Sequence, residues 1–210
     1  MLPNGVLVVR PHRTAAHVSS FLSSSAGPDS PPFRRAHELM REWDCRTSIM
    51  PLQRVSYRFT IRLPVGRRDA YRWATDYRED DFKIMGFRGG RKVERLANGL
   101  ILLTDSFDAD PFERNAGRRT TKVKLVHLFP ERWAWTATHV AGPARFSQFL
   151  YQLRPSGSRS CVLEFRGNQV ERVRLTPTAA TLRRRAQELR REDSRLWHRL
   201  SRGLAKSLRG

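Results

Sequence analysis

The C-terminal stretch, residues 177–210, reads PTAATLRRRAQELRREDSRLWHRLSRGLAKSLRG, and it follows a chain that otherwise alternates like strands. Apolar residues recur in it at steps of three and four, which is typical of one face of a helix. The pattern predicts one long helix with Thr176 as its N-cap and Pro177 at the first helical position. Its apolar stripe comprises Leu182, Ala186, Leu189, Leu196, Leu200, Leu204 and Leu208. Asp193 and Trp197 lie close to the same face of the predicted helix.

The stripe needs a partner surface, and the strands upstream can provide it. Residues 55–63 alternate apolar and polar side chains, as a half-buried strand does. Residues 67–85 then predict one or two short helices, and Asn98-Gly99 is a strong hairpin signal. Turn residues separate the remaining apolar runs. The sequence therefore predicts seven strands, at residues 55–63, 91–97, 100–107, 120–129, 133–140, 146–153 and 160–168.

The hairpin between the fourth and fifth of these strands permits a register prediction. A three-residue loop at 130–132 would pair Phe129 with Trp133 and His127 with Trp135, which sets apolar residues opposite apolar residues. The same register would place His127 and His139 on one face, about 13 Å apart along the strands. That separation is too large for the two imidazoles to share a metal ion.

The order of strand, short helices, antiparallel meander and long C-terminal helix resembles the START-like polyketide cyclase and lipid-transport superfamily, also called Bet v 1-like. The residues that carry the resemblance are VSYRFTIRL at 55–63 and DAYRWATDYREDDF at 69–82, where Asp76 and Tyr77 stand at the end of the first short helix as in many members. The resemblance implies an α+β helix-grip fold over residues 50–210. In that fold a curved seven-stranded antiparallel sheet wraps the C-terminal helix around an apolar cavity, with two short helices after the first strand.

Mapped onto this chain, the resemblance implies a ligand site between sheet and helix. Most of its aromatic residues are expected to be core. Polar groups on this apolar surface, His127, His139 and Asp193, are either satisfied buried groups or points that orient a ligand and move a proton. The ligand-binding candidates are Tyr57, Phe59, His127, Trp135, His139, Tyr151, Asp193 and Trp197; no residue is predicted to be catalytic or to bind a metal.

The amino-acid composition indicates what kind of surface the protein has and in which compartment we expect it. The net charge of +20 comes mostly from arginine, 35 of 40 cations, spread along the whole chain. This favours an arginine-rich solvated surface, with weak contact to nucleic acid or an anionic membrane as the alternative. Two cysteines, Cys45 and Cys161, cannot form a disulfide framework, and no apolar run is long enough to span a bilayer. We expect a cytoplasmic protein without a cofactor, in an oligomeric state that the sequence leaves open.

Residues 1–49 have the composition of a disordered extension, and Met50 is a candidate native start. Peptides from before Met50 in the endogenous protein would exclude that start. The acidic residues at 76–81 are interpreted as caps and solvated turns around a helix break. Asp105, Asp108 and Asp110, near Glu113, resemble a cation-binding loop only faintly, because the EF-hand spacing and its central glycine are missing.

Three functions remain open from the sequence. The first is a binding or carrier protein for a hydrophobic small molecule such as a lipid, an isoprenoid or a polyketide. The second is a polyketide cyclase or dehydratase in which His127 or His139 carries a proton. The third is a ribosome- or nucleic-acid-associated protein that uses the basic helix, which would show a steep salt dependence of binding.

Overall fold

The computed structural model describes residues 51–108 and 119–207. The predicted N-terminal extension and most of the loop after the third strand lie outside these residues. Seven antiparallel strands form one sheet in the order β1-β7-β6-β5-β4-β3-β2. They are β1 (Leu52–Leu63), β2 (Gly89–Arg95), β3 (Leu100–Phe107), β4 (Thr120–Phe129), β5 (Ala134–Ala141), β6 (Gln148–Pro155) and β7 (Cys161–Arg172).

Two short helices follow β1, as predicted: α1 (Arg67–Thr75) and α2 (Asp81–Met85). A 29-residue helix, α3 (Ala179–Ser207), ends the described chain. The curved sheet packs against α3, so the prediction of a helix-grip fold is confirmed. In the described residues, no helix is both long enough and apolar enough to cross a bilayer.

The apolar stripe of α3 packs against the sheet and α2, as its spacing predicts. Leu189, Trp197 and Leu204 are buried in the main core, with Leu182, Ala186 and Leu200 partly buried beside it. The arginine-rich face is the solvated one, since its exposed members include Arg183, Arg184, Arg190, Arg191, Arg195 and Arg202.

The predicted start of α3 is wrong by two residues. The backbone amide of Thr181 donates to Thr178 Oγ1 at 3.2 Å, and the amide of Leu182 donates to the carbonyl of Thr178 at 3.0 Å. Thr178 is therefore the N-cap, because its side chain satisfies an amide that has no partner inside the helix. Pro177 precedes the cap instead of opening the helix.

The hairpin between β2 and β3 forms at Asn98-Gly99, as predicted. Both residues have positive φ, 57° and 70°, and the amide of Leu100 donates to the carbonyl of Ala97 at 3.2 Å. This is the type I′ geometry that asparagine and glycine tolerate best. The turn fixes a register in which Arg91 pairs with Asp105.

The predicted register between β4 and β5 is wrong by one residue. Leu128 pairs with Trp135, and His127 pairs with Thr136. The cause is Trp133, which takes a left-handed conformation, φ 52° and ψ 41°, and extends the connection to four residues. Its ring lies 4.6 Å below the guanidinium carbon of Arg67 and meets the edge of Tyr71 at 5.7 Å. These tertiary contacts favour a conformation that a non-glycine residue rarely adopts.

Candidate functional site

A partly enclosed cavity of about 130 Å³ lies between the sheet and α3. Every strand of the sheet contributes to its wall, and β1, β2 and β7 provide one side chain each, Tyr57, Arg91 and Gln169. The wall combines aromatic surface with an unusual number of charged groups. Its polar and aromatic members are Tyr57, Phe87, Arg91, Asp105, Phe107, Lys122, Lys124, His139, Phe149, Tyr151, Gln169, Glu192 and Asp193.

A row of charged side chains crosses the inner face of the sheet at one end of this cavity. Asp105 on β3 pairs in register with Arg91 on one side and with Lys122 on the other. Its carboxylate accepts two hydrogen bonds from Arg91, at 2.7 and 3.0 Å, and one from Lys124 Nζ at 2.7 Å. Because Asp105 is fully buried, these bonds replace the water that its charge has lost.

The row continues into the acidic segment that follows α1. Arg91 Nη1 also donates to Asp81 at 3.1 Å, and Asp81 accepts from the backbone amide of Arg78 at 3.0 Å. Asp76 and Asp80 stay half-exposed and lie within ion-pair distance of Arg78, as expected for solvated turns. Asp81 differs from these two residues, since it helps to neutralise a buried arginine beside the cavity.

The network sets the charge state of its members. Burial alone would raise the pKa of Asp105, but the Lys124 charge and the Arg91 hydrogen bonds hold it below the ordinary value of 3.8. Burial lowers the pKa of Lys124 from its ordinary value of 10.5, and the neighbouring charge of Asp105 opposes that shift. Asp105 is thus a stable anion held between two cations.

His139 on β5 lies beside this row, directly opposite Lys124 on β4. The side chain is buried, its Nδ1 atom has no hydrogen-bond partner, and its ring meets the edge of Phe149 at 5.2 Å. Burial, together with the charges of Lys124 and Lys122, places the pKa of His139 well below 6.5. The imidazole is therefore neutral, with one ring nitrogen available to a bound molecule.

The helix side of the cavity carries a second polar pair. The hydroxyl of Tyr57 donates to Asp193 Oδ2 at 2.5 Å, which ties β1 to α3. Gly167 on β7 makes room for the phenol ring, because a Cβ atom at that position would lie 2.7 Å from Tyr57 Cζ. Burial raises the pKa of Asp193 to about 6, although the hydrogen bond from Tyr57 partly opposes the shift.

The raised pKa of Asp193 predicts a pH-dependent stability. Between its ordinary value of 3.8 and about 6, the folded chain binds the proton more tightly than the unfolded chain does. The stability contributed by the protonated carboxyl is complete below the lower value and is lost as the pH rises through the upper one. We expect the loss to be on the order of 2 kcal/mol.

Urea denaturation of the wild type and of Asp193→Asn across this interval tests the expectation. The amide does not titrate, so the variant should lose this part of the pH dependence while keeping an acceptor for Tyr57. If the free energies of unfolding of the two proteins changed with pH in parallel, the raised pKa of Asp193 would be contradicted.

The structure brings together four of the eight predicted ligand-binding residues: Tyr57, His139, Tyr151 and Asp193 line the cavity. Three others belong to the packed core around it. Phe59 stacks on Phe165 with ring centroids 4.5 Å apart, Trp135 stacks on Tyr151 at 5.0 Å, and Trp197 packs on Tyr151 at 5.6 Å. Trp135 and Trp197 therefore contact the cavity wall through Tyr151 without lining the cavity.

His127 does not line the cavity, and its predicted placement on the inner face is wrong. In the observed register its neighbours across the ladder are Leu100 and Thr136, while Lys124, Val126 and Leu128 carry the inner face of β4. The ring of His127 stacks on Phe129, two residues along the same strand, at 4.2 Å. The one-residue difference in register moves it to the opposite face.

The charged row is not evident from the sequence, because β4 can be interpreted in two ways. Val123, Leu125 and Phe129 on one face are as apolar as Val126 and Leu128 on the other, and the predicted register places the first set on the inner face. Asp105 offered a usable signal, since it shares a strand face with Ile101, Leu103 and Phe107. A charge amid three buried apolar residues indicates a buried partner or a functional group.

In the described parts of the chain, no three His, Cys, Asp or Glu side chains are grouped so that they could hold a metal ion. Asp110 and Glu113, which took part in the faint cation-loop pattern, lie outside those parts. Cys161 is buried with a free thiol whose pKa burial raises to about 11. It is a small core residue and does not line the cavity.

Several solved structures share this architecture. The ZhuI aromatase/cyclase from Streptomyces sp. R1128 matches with a TM-score of 0.59 at 10% identity, over 74% of this chain and 96% of that one. A START superfamily protein from Mycobacterium smegmatis matches at 0.56 and 13%, over 72% and 98%. Norcoclaurine synthase from Thalictrum flavum, in complex with dopamine and hydroxybenzaldehyde, matches at 0.51 and 12%, over 74% and 88%.

No protein-family model matches the sequence, and no curated protein sequence matches it either. At identities of 10–13%, the structural likeness bears on the fold. It agrees with the strand order, the two short helices and the position of α3 described above. The chain therefore has the helix-grip fold of the START-like and Bet v 1-like proteins.

Proposed function

We propose that the protein binds a small molecule with a single aromatic ring in the cavity between the sheet and α3. The observation that carries the proposal is the buried, unpartnered Nδ1 atom of His139 in the wall of a cavity that also presents aromatic surface. A buried polar atom without a partner costs free energy, and ligand sites are where such atoms recur. Aromatic walls with a few polar points are typical of small-molecule sites.

The size of the cavity supports a small ligand. Sites for drug-sized molecules span about 300–1,000 Å³, whereas an apolar cavity of about 150 Å³ accepts benzene. At about 130 Å³, the cavity favours a single ring over the lipid, isoprenoid or polyketide ligands that the sequence suggested. Norcoclaurine synthase, which has this fold, was solved with two molecules of the single-ring kind, dopamine and hydroxybenzaldehyde.

Phenol, a neutral single-ring molecule, is a direct probe of the proposal. Trp135 and Trp197 both pack on Tyr151 in the cavity wall, so we expect saturable quenching of tryptophan fluorescence as phenol binds. Ala137→Met should abolish the saturable part, because Ala137 is buried and lines the cavity, and a longer side chain there fills it. Ala180→Met, an equal change at an exposed position of α3, should leave it intact.

The proposal fails if phenol produces no saturable change in the wild type. It also fails if Ala137→Met, still folded by circular dichroism, binds phenol as the wild type does. In both cases a site elsewhere, or none, would account for the data better than the cavity.

Proton-transfer catalysis in the same cavity is a second candidate. His139 is held neutral and Asp193 has a pKa near 6, so a base and an acid line one cavity. Groups whose pKa values are shifted by their surroundings are common at sites of acid–base chemistry. Acetophenone in D₂O tests the candidate: its methyl protons should exchange faster with the protein than in buffer, and His139→Gln should remove the excess. Exchange at the buffer rate would exclude it.

A further inference from the structure

We propose that the solvent-facing side of α3 binds the phosphate backbone of double-stranded nucleic acid without reading its base sequence. Exposed arginines define this side of the helix, which we call the arginine face: Arg183, Arg184, Arg190, Arg191, Arg195 and Arg202. None of these side chains lines the cavity between the sheet and α3. The inference therefore stands independently of the proposed function.

Four of these arginines form a nearly straight row along the helix. They stand at steps of seven, four and seven residues, at positions 184, 191, 195 and 202. With about 3.6 residues per turn and about 1.5 Å per residue, the row stays within about 40° of one line and is about 27 Å long. A nucleic-acid duplex carries about one negative charge per 1.7 Å of its axis. The row therefore spans about 16 such charges, so each arginine has phosphates within reach.

The acids of α3 do not neutralise the arginine face. Asp193 belongs to the cavity wall, and Glu188 and Glu192 lie 3.3 and 3.9 Å from Arg185, whose side chain is 12% exposed. In the part of the chain that the structure describes, the one member of the face within ion-pair distance of an acid is Arg184, at 4.0 Å from Glu188. Exposed pairs of this kind contribute little, so the face keeps its positive charge.

Arginine is also the residue whose shape suits a phosphate group. Its planar guanidinium can donate two parallel hydrogen bonds to phosphate oxygens. Arg191 and Arg195 lie one turn apart, and like charges at that spacing destabilise a helix. A line of phosphates against the row would relieve this repulsion. The row thus has both the charge and the donor geometry of a backbone-binding surface.

An anionic membrane is another surface that could meet this face, but α3 lacks what a membrane-bound helix needs. A helix that lies in a membrane interface inserts its apolar side, whereas the apolar stripe of α3 packs in the core. The large hydrophobic side chains that are exposed in the described chain, Leu52, Leu150 and Leu175, do not lie on α3. Because one side of α3 faces the sheet, the helix can offer the duplex its arginine face alone, which favours phosphate contacts over contacts with base edges.

Anisotropy of a fluorescently labelled DNA duplex of about 20 base pairs, titrated with the whole chain at several salt concentrations, tests the proposal. If the four arginines of the row each neutralise one phosphate, the logarithm of the association constant should fall against the logarithm of the salt concentration with a slope of about −3.6 or steeper. A duplex of unrelated sequence should bind within about threefold of the first, because phosphates carry no sequence information.

The decisive variant replaces the row with glutamine, which keeps a high helix propensity. It combines Arg184→Gln, Arg191→Gln, Arg195→Gln and Arg202→Gln. We expect it to lose most of the salt dependence and to bind the duplex at least about thirtyfold more weakly at about 100 mM salt. A matched control removes the same net charge from four exposed arginines on the outer face of β1 and β7, namely Arg54, Arg58, Arg62 and Arg166. It should bind within about fivefold of the wild type. Circular dichroism checks that both variants are folded.

The comparison of these two variants decides whether the arginine face is the binding surface. Equal losses in both would mean that net charge alone drives binding, and would overturn the inference. Duplex binding that does not depend on salt, or that survives unchanged in the row variant, would overturn it as well. Vesicles of phosphatidylcholine and phosphatidylserine in equal parts complete the test. If they bound more tightly than the duplex and the row variant lost that binding, the face would belong to a membrane and the nucleic-acid assignment would be wrong.

Discussion

Replacing Asp105 with Asn should lower the free energy of unfolding by about 3–5 kcal/mol. Asp105 is fully buried and is the acid to which both Arg91 and Lys124 donate. An amide of the same size leaves Arg91, 6% exposed, and Lys124, 21% exposed, without the charge that balances them. The loss is large because neither cation can recover its hydration inside the wall.

Urea denaturation of Asp105→Asn measures this effect, and two further variants define it. Asp80→Asn removes an exposed acid that lies 3.9 Å from Arg78, and should cost less than about 1 kcal/mol. Adding Lys124→Met to Asp105→Asn removes one of the two cations that have lost the Asp105 carboxylate, and should recover part of the lost stability. A loss below about 1 kcal/mol in Asp105→Asn would mean that the charged row is hydrated in solution.

Trp135→Ala should cost about 3–5 kcal/mol. Trp135 is 1% exposed, stacks on Tyr151 with ring planes 5° apart, and meets Tyr71 and Trp197 with centroids at 5.9 and 6.2 Å. Its removal leaves a void between the sheet, α1 and α3 that rigid neighbours cannot fill. The void adjoins Tyr151, which lines the cavity, so phenol binding should weaken as well.

Trp133→Ala is the control for this variant. Trp133 lies two residues away, is only partly buried, and contacts Arg67 and Tyr71 at the end of the sheet. We expect a clearly smaller loss of stability. Equal losses for the two tryptophans would contradict the distinction between the core and the end of the sheet.

The fold was predictable because its signals are local and repeated. Alternation in β1, the Asn98-Gly99 turn and the stripe of α3 each follow from a short window of sequence, and each is observed. The order of these elements was then enough to indicate the helix grip. The end of a helix is harder to place: Thr176 and Thr178 are both good caps, and only the contact with Thr181 distinguishes them.

The site was less predictable because it depends on one dihedral angle and one register. The left-handed conformation of Trp133 arises from tertiary contacts with α1, and no local sequence pattern indicates those contacts. In the resulting register, Lys122 and Lys124 lie on the inner face of the sheet, and His127 lies on the opposite face. Hydrophobic alternation favours the opposite assignment, since it assumes that lysine faces water. A cavity wall that contains a buried Lys122 and a partly buried Lys124 violates that assumption.

The most direct test of the cavity as a ligand site is ¹⁵N NMR of the histidine side chains during a phenol titration. His139 and His127 are assigned by their Gln variants. We predict that the resonances of the His139 ring nitrogens shift saturably, with the same affinity as the fluorescence titration gives. The resonances of the His127 ring nitrogens should not shift, because His127 lies on the opposite face of the sheet. Shifts at His127 with none at His139, or no saturable shift at either residue, would contradict this prediction.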